Sequence, residues 1–139
     1  MRVLLDTCVV SELRRRDADP RVARAVAAVA GDDAFLSALT LGAPVKGVPL
    51  FNAVARRRPF LAWVRRLERD YPDRILGVDA ETARYWGELT AAAQRHGRTV
   101  GAVDGLMAAT ALRHGLRVMT RNVSDFEPTG VSLLNPWTD

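Results

Sequence analysis

The hydrophobic positions of the chain fall into short apolar runs separated by segments with helical spacing. Residues 2–5 are predicted to form a strand, and Val3, Leu4 and Leu5 in it are apolar without alternation, a pattern typical of a strand covered on both faces of a sheet. Four further short runs predict the remaining strands, at residues 34–37, 75–78, 116–120 and 131–134. Strands that alternate with helices indicate an α/β domain with a mainly parallel sheet.

The helices near the amino terminus are predicted from their end signals. Asp6 directly follows the first strand and precedes a helix over residues 7–14. Asp19 and Pro20 supply a cap and a proline at the first helical position of the next helix. Gly31 is a suitable residue to end that helix.

Residues 40–51, TLGAPVKGVPLF, have an unusual composition for a helix. Thr40 is of a type that caps helices, but two glycines and two prolines follow it. A proline such as Pro49 costs about 3 kcal/mol inside a helix. We therefore expect a distorted or broken helix in this stretch.

Three helices are predicted in the rest of the chain. Residues 59–71 are predicted to form an amphipathic helix. After the next strand, Asp79 begins a second helix, which ends near His96. The third covers residues 103–114 and is stopped by Gly115. The apolar stripe of the first is Phe60, Trp63, Val64, Leu67 and Tyr71. The buried face of the second is expected to be Ala83, Trp86, Leu89 or Thr90, and Ala93.

Composition and charge narrow the functional classes. The chain of 139 residues suits one domain, and it has a single cysteine and neither a membrane-length apolar run nor a secretory signal, so we expect a cytoplasmic protein. Its net charge is +4, and every basic residue except Lys46 is arginine. Arginine favours a nucleic acid or an acidic partner. Arginines on the solvated helix faces of an arginine-rich protein explain the same net charge.

Three carboxylates lie at special points of the predicted fold. Asp6 follows the first strand, Asp104 lies in the first turn of the helix 103–114, and Asp125 lies in a predicted loop over residues 121–130. Taken singly, they are explained as a helix cap, a favourable helix-terminal charge and a turn former. Together at one sheet edge they would repel, and a divalent cation such as Mg²⁺ or Mn²⁺ would remove that conflict.

Other carboxylate and metal sites fit the sequence less well. Two histidines and one cysteine are too few for a typical zinc site, and His96 and His114 are explained by predicted helix ends. A haloacid-dehalogenase phosphatase needs an aspartate where this chain has Cys8. The turn after the first strand has no glycine, which excludes a dinucleotide-binding fingerprint.

Four segments of the chain have a characteristic combination of motifs: LLDTCVVSELRR, LSALTLG with KGV downstream, AVDGLMAATALRHGLRVMTRNVSDF and VSLLNPW. Together they resemble PIN-domain ribonucleases, most of all the VapC/FitB-like toxins of type II toxin–antitoxin pairs. The resemblance implies a single PIN domain over residues 1–139, a three-layer α/β/α fold with a central, mainly parallel sheet. It implies a Mg²⁺- or Mn²⁺-dependent endoribonuclease that leaves a 5′-phosphate and a 3′-hydroxyl. It also implies a homodimer, a VapB-like antitoxin, and operator DNA bound only through that antitoxin.

The resemblance also assigns residues. The metal-binding and catalytic positions are Asp6, Asp104 and Asp125. The supporting positions are Thr7, Thr120 and Asn122, and Glu12 lies close to the site. Arg14 and Arg121 are candidates for holding the RNA backbone, and Trp63 is either a core residue or part of an antitoxin groove.

One position departs from the family pattern. The acidic residue that usually follows the TLG element is Ala43 here, and Pro44 follows it. Three interpretations stay open: a substitution introduced to inactivate the protein, a natural loss of activity, or a replacement of the missing carboxylate by Glu12. The sequence therefore predicts either a metal-dependent ribonuclease or a catalytically silent module that dimerises and binds an antitoxin.

Overall fold

The computed structural model describes residues 1–46 and 53–139, with side chains described for residues 1–42 and 58–139. Its sheet has five strands in the order β3-β2-β1-β4-β5, and all four strand pairs are parallel. The strands are β1 (Val3–Leu5), β2 (Ala34–Ser37), β3 (Ile75–Leu76), β4 (Arg117–Met119) and β5 (Leu133–Leu134). The predicted parallel α/β fold is therefore confirmed, with β1, β3, β4 and β5 shorter than expected.

The helices follow the predicted order along the chain. They are α1 (Thr7–Arg14), α2 (Pro20–Ala27), α3 (Ala38–Lys46), α4 (Ala53–Asp70), α5 (Ala80–Arg95), α6 (Ala102–His114) and α7 (Val123–Phe126). Asp6, Asp19 and Asp79 cap α1, α2 and α5 by accepting backbone N–H bonds, as predicted. Gly115 ends α6 with φ +68°, a left-handed conformation that favours glycine.

Helices cover both faces of the sheet, which produces three layers. Val3 and Leu5 of β1 point to a core shared with α1, α2 and α4, whereas Leu4 points to a core shared with α5, α6 and α7. All three side chains are fully buried, which explains the apolar run without alternation. Trp63 is 6% exposed and belongs to the first core, and it also lines a groove between α1 and α4.

Several predicted boundaries are wrong. The helix predicted at residues 59–71 begins at Ala53, so Pro59 lies inside α4, where it removes one backbone hydrogen bond. Gly31 does not end α2, which stops at Ala27; it begins a short 3-10 helix instead. The predicted loop 121–130 contains α7 and a second 3-10 helix, because the fully buried Phe126 packs into the core.

The stretch 40–51 is helical in its first part. Thr40 lies inside α3 and is not its cap; the Ser37 hydroxyl accepts the Leu39 N–H at the start of this helix. The backbone of α3 continues to Lys46, past Gly42 and Pro44. The predicted break is therefore wrong for residues 40–46, and the rest of that stretch, including Pro49, lies outside the described residues.

The buried face of α5 differs from the prediction. Thr82, Leu89 and Ala93 are buried, whereas Ala83 is exposed and Trp86 is 36% exposed. Thr82 rather than Ala83 therefore faces the core. Within the described residues, no helix combines the length and the apolar character needed to cross a membrane.

Candidate active site at the carboxyl ends of β1 and β4

Asp6 lies where the strand order of the sheet reverses. The chain moves from the central β1 to β2 and β3 on one side, and then to β4 and β5 on the other. The Asp6 N–H donates to the Met119 carbonyl at 2.9 Å, which ties this residue to the end of β4. Crevices at such reversal points are the usual ligand sites of parallel α/β sheets.

The Asp6 carboxylate is buried and held by hydrogen bonds. Its Oδ1 accepts the Thr7 N–H at 2.8 Å, and its Oδ2 accepts the Thr120 hydroxyl at 2.7 Å. The Cys8 thiol lies 3.5 Å from the same Oδ2. The Thr120 hydroxyl in turn accepts the Asn122 N–H at 2.9 Å, which leaves its own proton for Asp6. These contacts fix the direction in which the carboxylate points.

A second hydroxyl pair connects this network to α3. The Oγ1 atoms of Thr7 and Thr40 are 2.9 Å apart, although the two residues are 33 positions apart in the chain. Thr40 is fully buried and Thr7 is half-buried. Thr40 was not among the predicted site residues; the sequence indicated it only as a possible helix cap in the LSALTLG segment.

Asp104 is electrostatically coupled to the other two predicted carboxylates. It lies in the first turn of α6, where burial first, and then the charges of Asp6 and Asp125, raise the pKa of its carboxyl. The three residues are thus near enough for their charges to interact. Their convergence at one edge of the sheet is the electrostatic conflict that the sequence predicted.

The predicted ligands do not form a compact metal site in this structure. Asp125 is exposed, in the first turn of α7, and its N–H donates to the Asn122 carbonyl at 3.1 Å. Among the residues that the structure describes, no three Asp, Glu, His or Cys side chains stand close enough together to hold one metal ion. The oxygen donors suit Mg²⁺ or Mn²⁺ chemically, and the assignment of Asp6, Asp104 and Asp125 as ligands stays a prediction.

Glu12 makes no hydrogen bond to this network among the described residues. The Glu12 side chain is 10% exposed; its Oε1 is 3.9 Å from Arg15, and its buried Oε2 has no hydrogen-bond partner among the described residues. Glu12 is not among the charges that act on the Asp104 pKa. Ala43 is in α3, and its side chain lies outside the described residues.

Cys8 is a neighbour of the site that sequence reasoning used only to exclude other enzymes. Its thiol lies 3.7 Å from the Thr120 hydroxyl, and burial, followed by the Asp6 charge, raises the pKa of that thiol. A thiol with a raised pKa stays protonated at neutral pH. Cys8 therefore adds no negative charge beside Asp6.

The two arginines proposed for RNA are exposed and stacked on aromatic rings. The Arg14 guanidinium lies 4.9 Å from the centroid of Phe60 and 5.1 Å from that of Trp63. The Arg121 guanidinium lies 5.2 Å from the centroid of Trp137. Stacking of this kind restrains the side chain and leaves its N–H donors available.

The comparisons with known proteins agree with this architecture. The PIN domain family model matches residues 3–127. VapC ribonuclease Y4jK of Sinorhizobium fredii is 35% identical over 97% of both chains, and toxin FitB of Neisseria gonorrhoeae is 34% identical over 99% of both. The crystal structure of FitAcB from N. gonorrhoeae matches with a TM-score of 0.87 and 32% identity, covering 99% of both chains.

The chain belongs to the PIN-domain family. Its relatives above 30% identity, matched over nearly their whole length, include proteins named as a VapC ribonuclease and as the toxin FitB. The three-layer fold that the resemblance implied is thus confirmed.

Proposed function

We propose that this protein is the toxin of a type II toxin–antitoxin pair and a Mg²⁺- or Mn²⁺-dependent endoribonuclease. The observation that carries the proposal is the coupling of three carboxylates at the reversal point of the sheet, where burial and then the charges of Asp6 and Asp125 raise the Asp104 pKa. Kinship with a protein named as a VapC ribonuclease makes RNA the favoured substrate. The net charge of +4 suits a polyanion.

In this mechanism Asp6, Asp104 and Asp125 would hold the cation. A cation so held supplies an activated water and charge stabilisation at the scissile phosphate. Thr7 and Thr120 keep both Asp6 oxygens oriented through their 2.8 Å and 2.7 Å hydrogen bonds. Cleavage in line would leave a 5′-phosphate and a 3′-hydroxyl.

The basic side chains would position the RNA. Arg121 directly follows Thr120, so its guanidinium extends from the edge of the sheet that carries the carboxylates. It would bind a backbone phosphate near the scissile one. Arg14, at the end of α1, would bind a more distant phosphate or an acidic group of a protein partner.

The test is cleavage of end-labelled RNA by the purified protein with Mn²⁺, with and without EDTA. Asp6→Asn and Asp104→Asn should abolish cleavage, and Asp32→Asn is the matched control because Asp32 is an exposed carboxylate in the 3-10 helix before β2. Equal cleavage by all four proteins would mean a contaminating nuclease and would defeat the proposal.

A second function is favoured by two observations. Ala43 replaces the usual acidic residue, and the described residues include no ready three-ligand group. In this alternative the protein is a silent PIN module that dimerises and binds an antitoxin. Titration calorimetry separates the two functions: binding of Mn²⁺ below millimolar concentration supports the nuclease, and no binding at millimolar Mn²⁺ supports the silent module.

The groove between α1 and α4 is the surface we propose for the antitoxin. It has a volume of about 320 Å³, and its lining is Val10, Leu13, Arg14, Trp63, Arg66, Leu67, Asp70 and Tyr71. An apolar segment with an acidic residue would match its apolar floor and its arginines. Co-purification with the product of the neighbouring gene tests this: Leu13→Asp should abolish it, while Leu61→Asp, on an exposed part of α4, should not.

The remaining assignments follow from the same proposal. The toxin would be a cytoplasmic homodimer, and it would reach operator DNA only through its VapB-like antitoxin. Analytical ultracentrifugation of the toxin alone tests the dimer. An electrophoretic shift of promoter DNA by the toxin–antitoxin complex, but not by the toxin alone, tests the DNA assignment.

A further inference from the structure

The Thr7–Thr40 pair is a polar contact near the site that the proposed mechanism does not use. Thr40 is fully buried on α3, and its Oγ1 is 2.9 Å from that of Thr7. Thr7 follows Asp6 and donates its backbone N–H to Asp6 Oδ1 at 2.8 Å. Thr7 therefore connects α3 to the carboxylate, because its hydroxyl contacts Thr40 and its backbone N–H bonds to Asp6.

We infer that Thr40 is a positioning residue, which orients the Asp6 carboxylate through Thr7. A buried hydroxyl without a hydrogen-bond partner destabilises the folded protein. Thr40 and Thr7 satisfy each other only when α3 and the first turn of α1 keep their present spacing. The pair thus fixes α3 against the residue that follows Asp6.

The opposite oxygen of Asp6 is held separately. Its Oδ2 accepts the Thr120 hydroxyl from the end of β4 at 2.7 Å. One carboxylate oxygen is thus fixed from β4, and the other is fixed through Thr7 from α3. With both anchors in place, the carboxylate has one orientation, and loss of the Thr40 anchor leaves it free to turn about Oδ2.

The first test measures backbone amide exchange by NMR and needs no metal. Thr40→Val keeps the side-chain shape and removes the hydroxyl. It should speed exchange of the Thr7 N–H about tenfold, the change expected for loss of one hydrogen bond of about 1.4 kcal/mol. The Val10 N–H, which bonds to the Asp6 backbone carbonyl at 3.3 Å, should keep its rate. Equal acceleration at both amides would indicate general loosening of α1 and would overturn the inference.

The chain offers a matched control in Thr110. This residue is also fully buried, but its hydroxyl donates at 2.8 Å to Leu106 within α6. Thr110→Val should change neither the Thr7 exchange rate nor metal affinity, whatever it does to stability. Thr40→Ser keeps a hydroxyl and should restore wild-type Thr7 exchange to within about twofold, since the bond itself is kept.

If Thr40→Val folds poorly, a second variant tests the same inference. Thr7→Val removes the same hydroxyl pair from the half-buried side, and the Thr7→Val/Thr40→Val double variant should behave like either single variant. The exchange to follow is that of the residue 7 amide in each protein. Additive effects of the two changes would show that the residues act separately and would contradict the inference.

The inference also predicts weaker metal binding, and this part rests on the proposed function. Loss of an outer-shell partner lowers metal affinity by roughly 10–100-fold, so Thr40→Val should weaken Mn²⁺ binding by about tenfold or more. Unchanged Mn²⁺ affinity beside faster Thr7 exchange would overturn the link to the carboxylate. A wild-type protein that binds no Mn²⁺ would instead defeat the proposed metal site, and the exchange rates would still decide the positioning role.

Discussion

The Thr120 hydroxyl donates a 2.7 Å hydrogen bond to the Asp6 carboxylate, across the carboxyl ends of two neighbouring parallel strands. The two residues are 114 positions apart in the chain, and both are buried. The bond links the ends of β1 and β4 at the point where the strand order of the sheet reverses. It also orients the carboxylate that the proposed mechanism depends on most.

Thr120→Val tests how much this hydrogen bond contributes to the free energy of unfolding. The substitution leaves the Asp6 oxygen and the Asn122 N–H without their partner, so the free energy of unfolding should fall by roughly 1.5–3 kcal/mol, the range for a hydrogen bond to a charged group. Thr120→Ser should lose less than half as much. Urea unfolding measures both, and equal stability of the valine and wild-type proteins would contradict the assigned bond.

Asp104→Asn should stabilise the fold at neutral pH while removing a proposed ligand. The folded pKa of Asp104 is raised above its ordinary value of 3.8, so folding favours the protonated form. The unfolding free energy therefore falls as pH rises from 3.8 through the folded pKa, and above both values the ionised group destabilises the fold. Asparagine removes that cost at pH 7.

Thermal unfolding with and without Mn²⁺ is the measurement for Asp104→Asn. Without metal, the variant should melt above wild type at pH 7, and the difference should vanish at pH 3. With Mn²⁺, wild type should gain stability and the variant should gain less, because the cation binds only the folded state. A variant that melts below wild type in EDTA at pH 7 would contradict the coupling among the three carboxylates.

His114 should contribute to the loss of stability in acid. Its Nε2 lies 2.8 Å from Arg113 Nη1, and burial followed by the Arg113 charge lowers its pKa below the ordinary 6.5. The unfolded state therefore binds the proton more readily, so stability falls as pH drops from 6.5 through the lowered folded pKa.

His114→Gln should flatten this acid slope between pH 6.5 and about 5, the range in which an ordinary histidine titrates. His96→Gln is the control: His96 ends α5, is exposed, and bonds its Nδ1 to the Ala92 carbonyl at 2.9 Å. Urea midpoints across this pH range measure both variants. Equal slopes in the three proteins would show that His114 does not contribute to the loss of stability in acid.

Alanine substitutions at two helix glycines should change the free energy of unfolding in opposite directions. A Cβ at Gly105 would lie 3.1 Å from the Cδ1 and Nε1 atoms of Trp86, so Gly105→Ala should cost roughly 1–3 kcal/mol by overpacking the α5–α6 contact. Gly87 has open space around it, and Gly87→Ala should add about 0.5–1 kcal/mol. Unfolding in urea distinguishes them, and a neutral Gly105→Ala would show that α5 and α6 separate easily.

The sequence predicted the position of Asp6 well because every signal for it is local. An apolar strand covered on both faces, followed by a capping residue, leaves little choice for the chain near residues 2–7. The caps at Asp19 and Asp79 and the stop at Gly115 have the same local character. These features depend on neighbours within a few residues.

The partners of Asp6 depend instead on distant packing. Nothing near Thr40 indicates that its hydroxyl meets Thr7, because the contact exists only after α3 packs against α1. The short α7 was missed since four residues are too few to show a helical period, and its burial comes from Phe126. Trp86 was placed in the core by its spacing, yet it packs only partly, against Gly105.

The most direct test of the central claim is the Mn²⁺-dependent rate of RNA cleavage by four proteins: wild type, Ala43→Glu, Asp104→Asn and the Ala43→Glu/Asp104→Asn double variant. Restoring a carboxylate at residue 43 should raise the rate, and Asp104→Asn should abolish cleavage in both backgrounds. EDTA should have the same effect as Asp104→Asn. No cleavage by either wild type or Ala43→Glu with Mn²⁺, or cleavage that survives Asp104→Asn, would contradict the account.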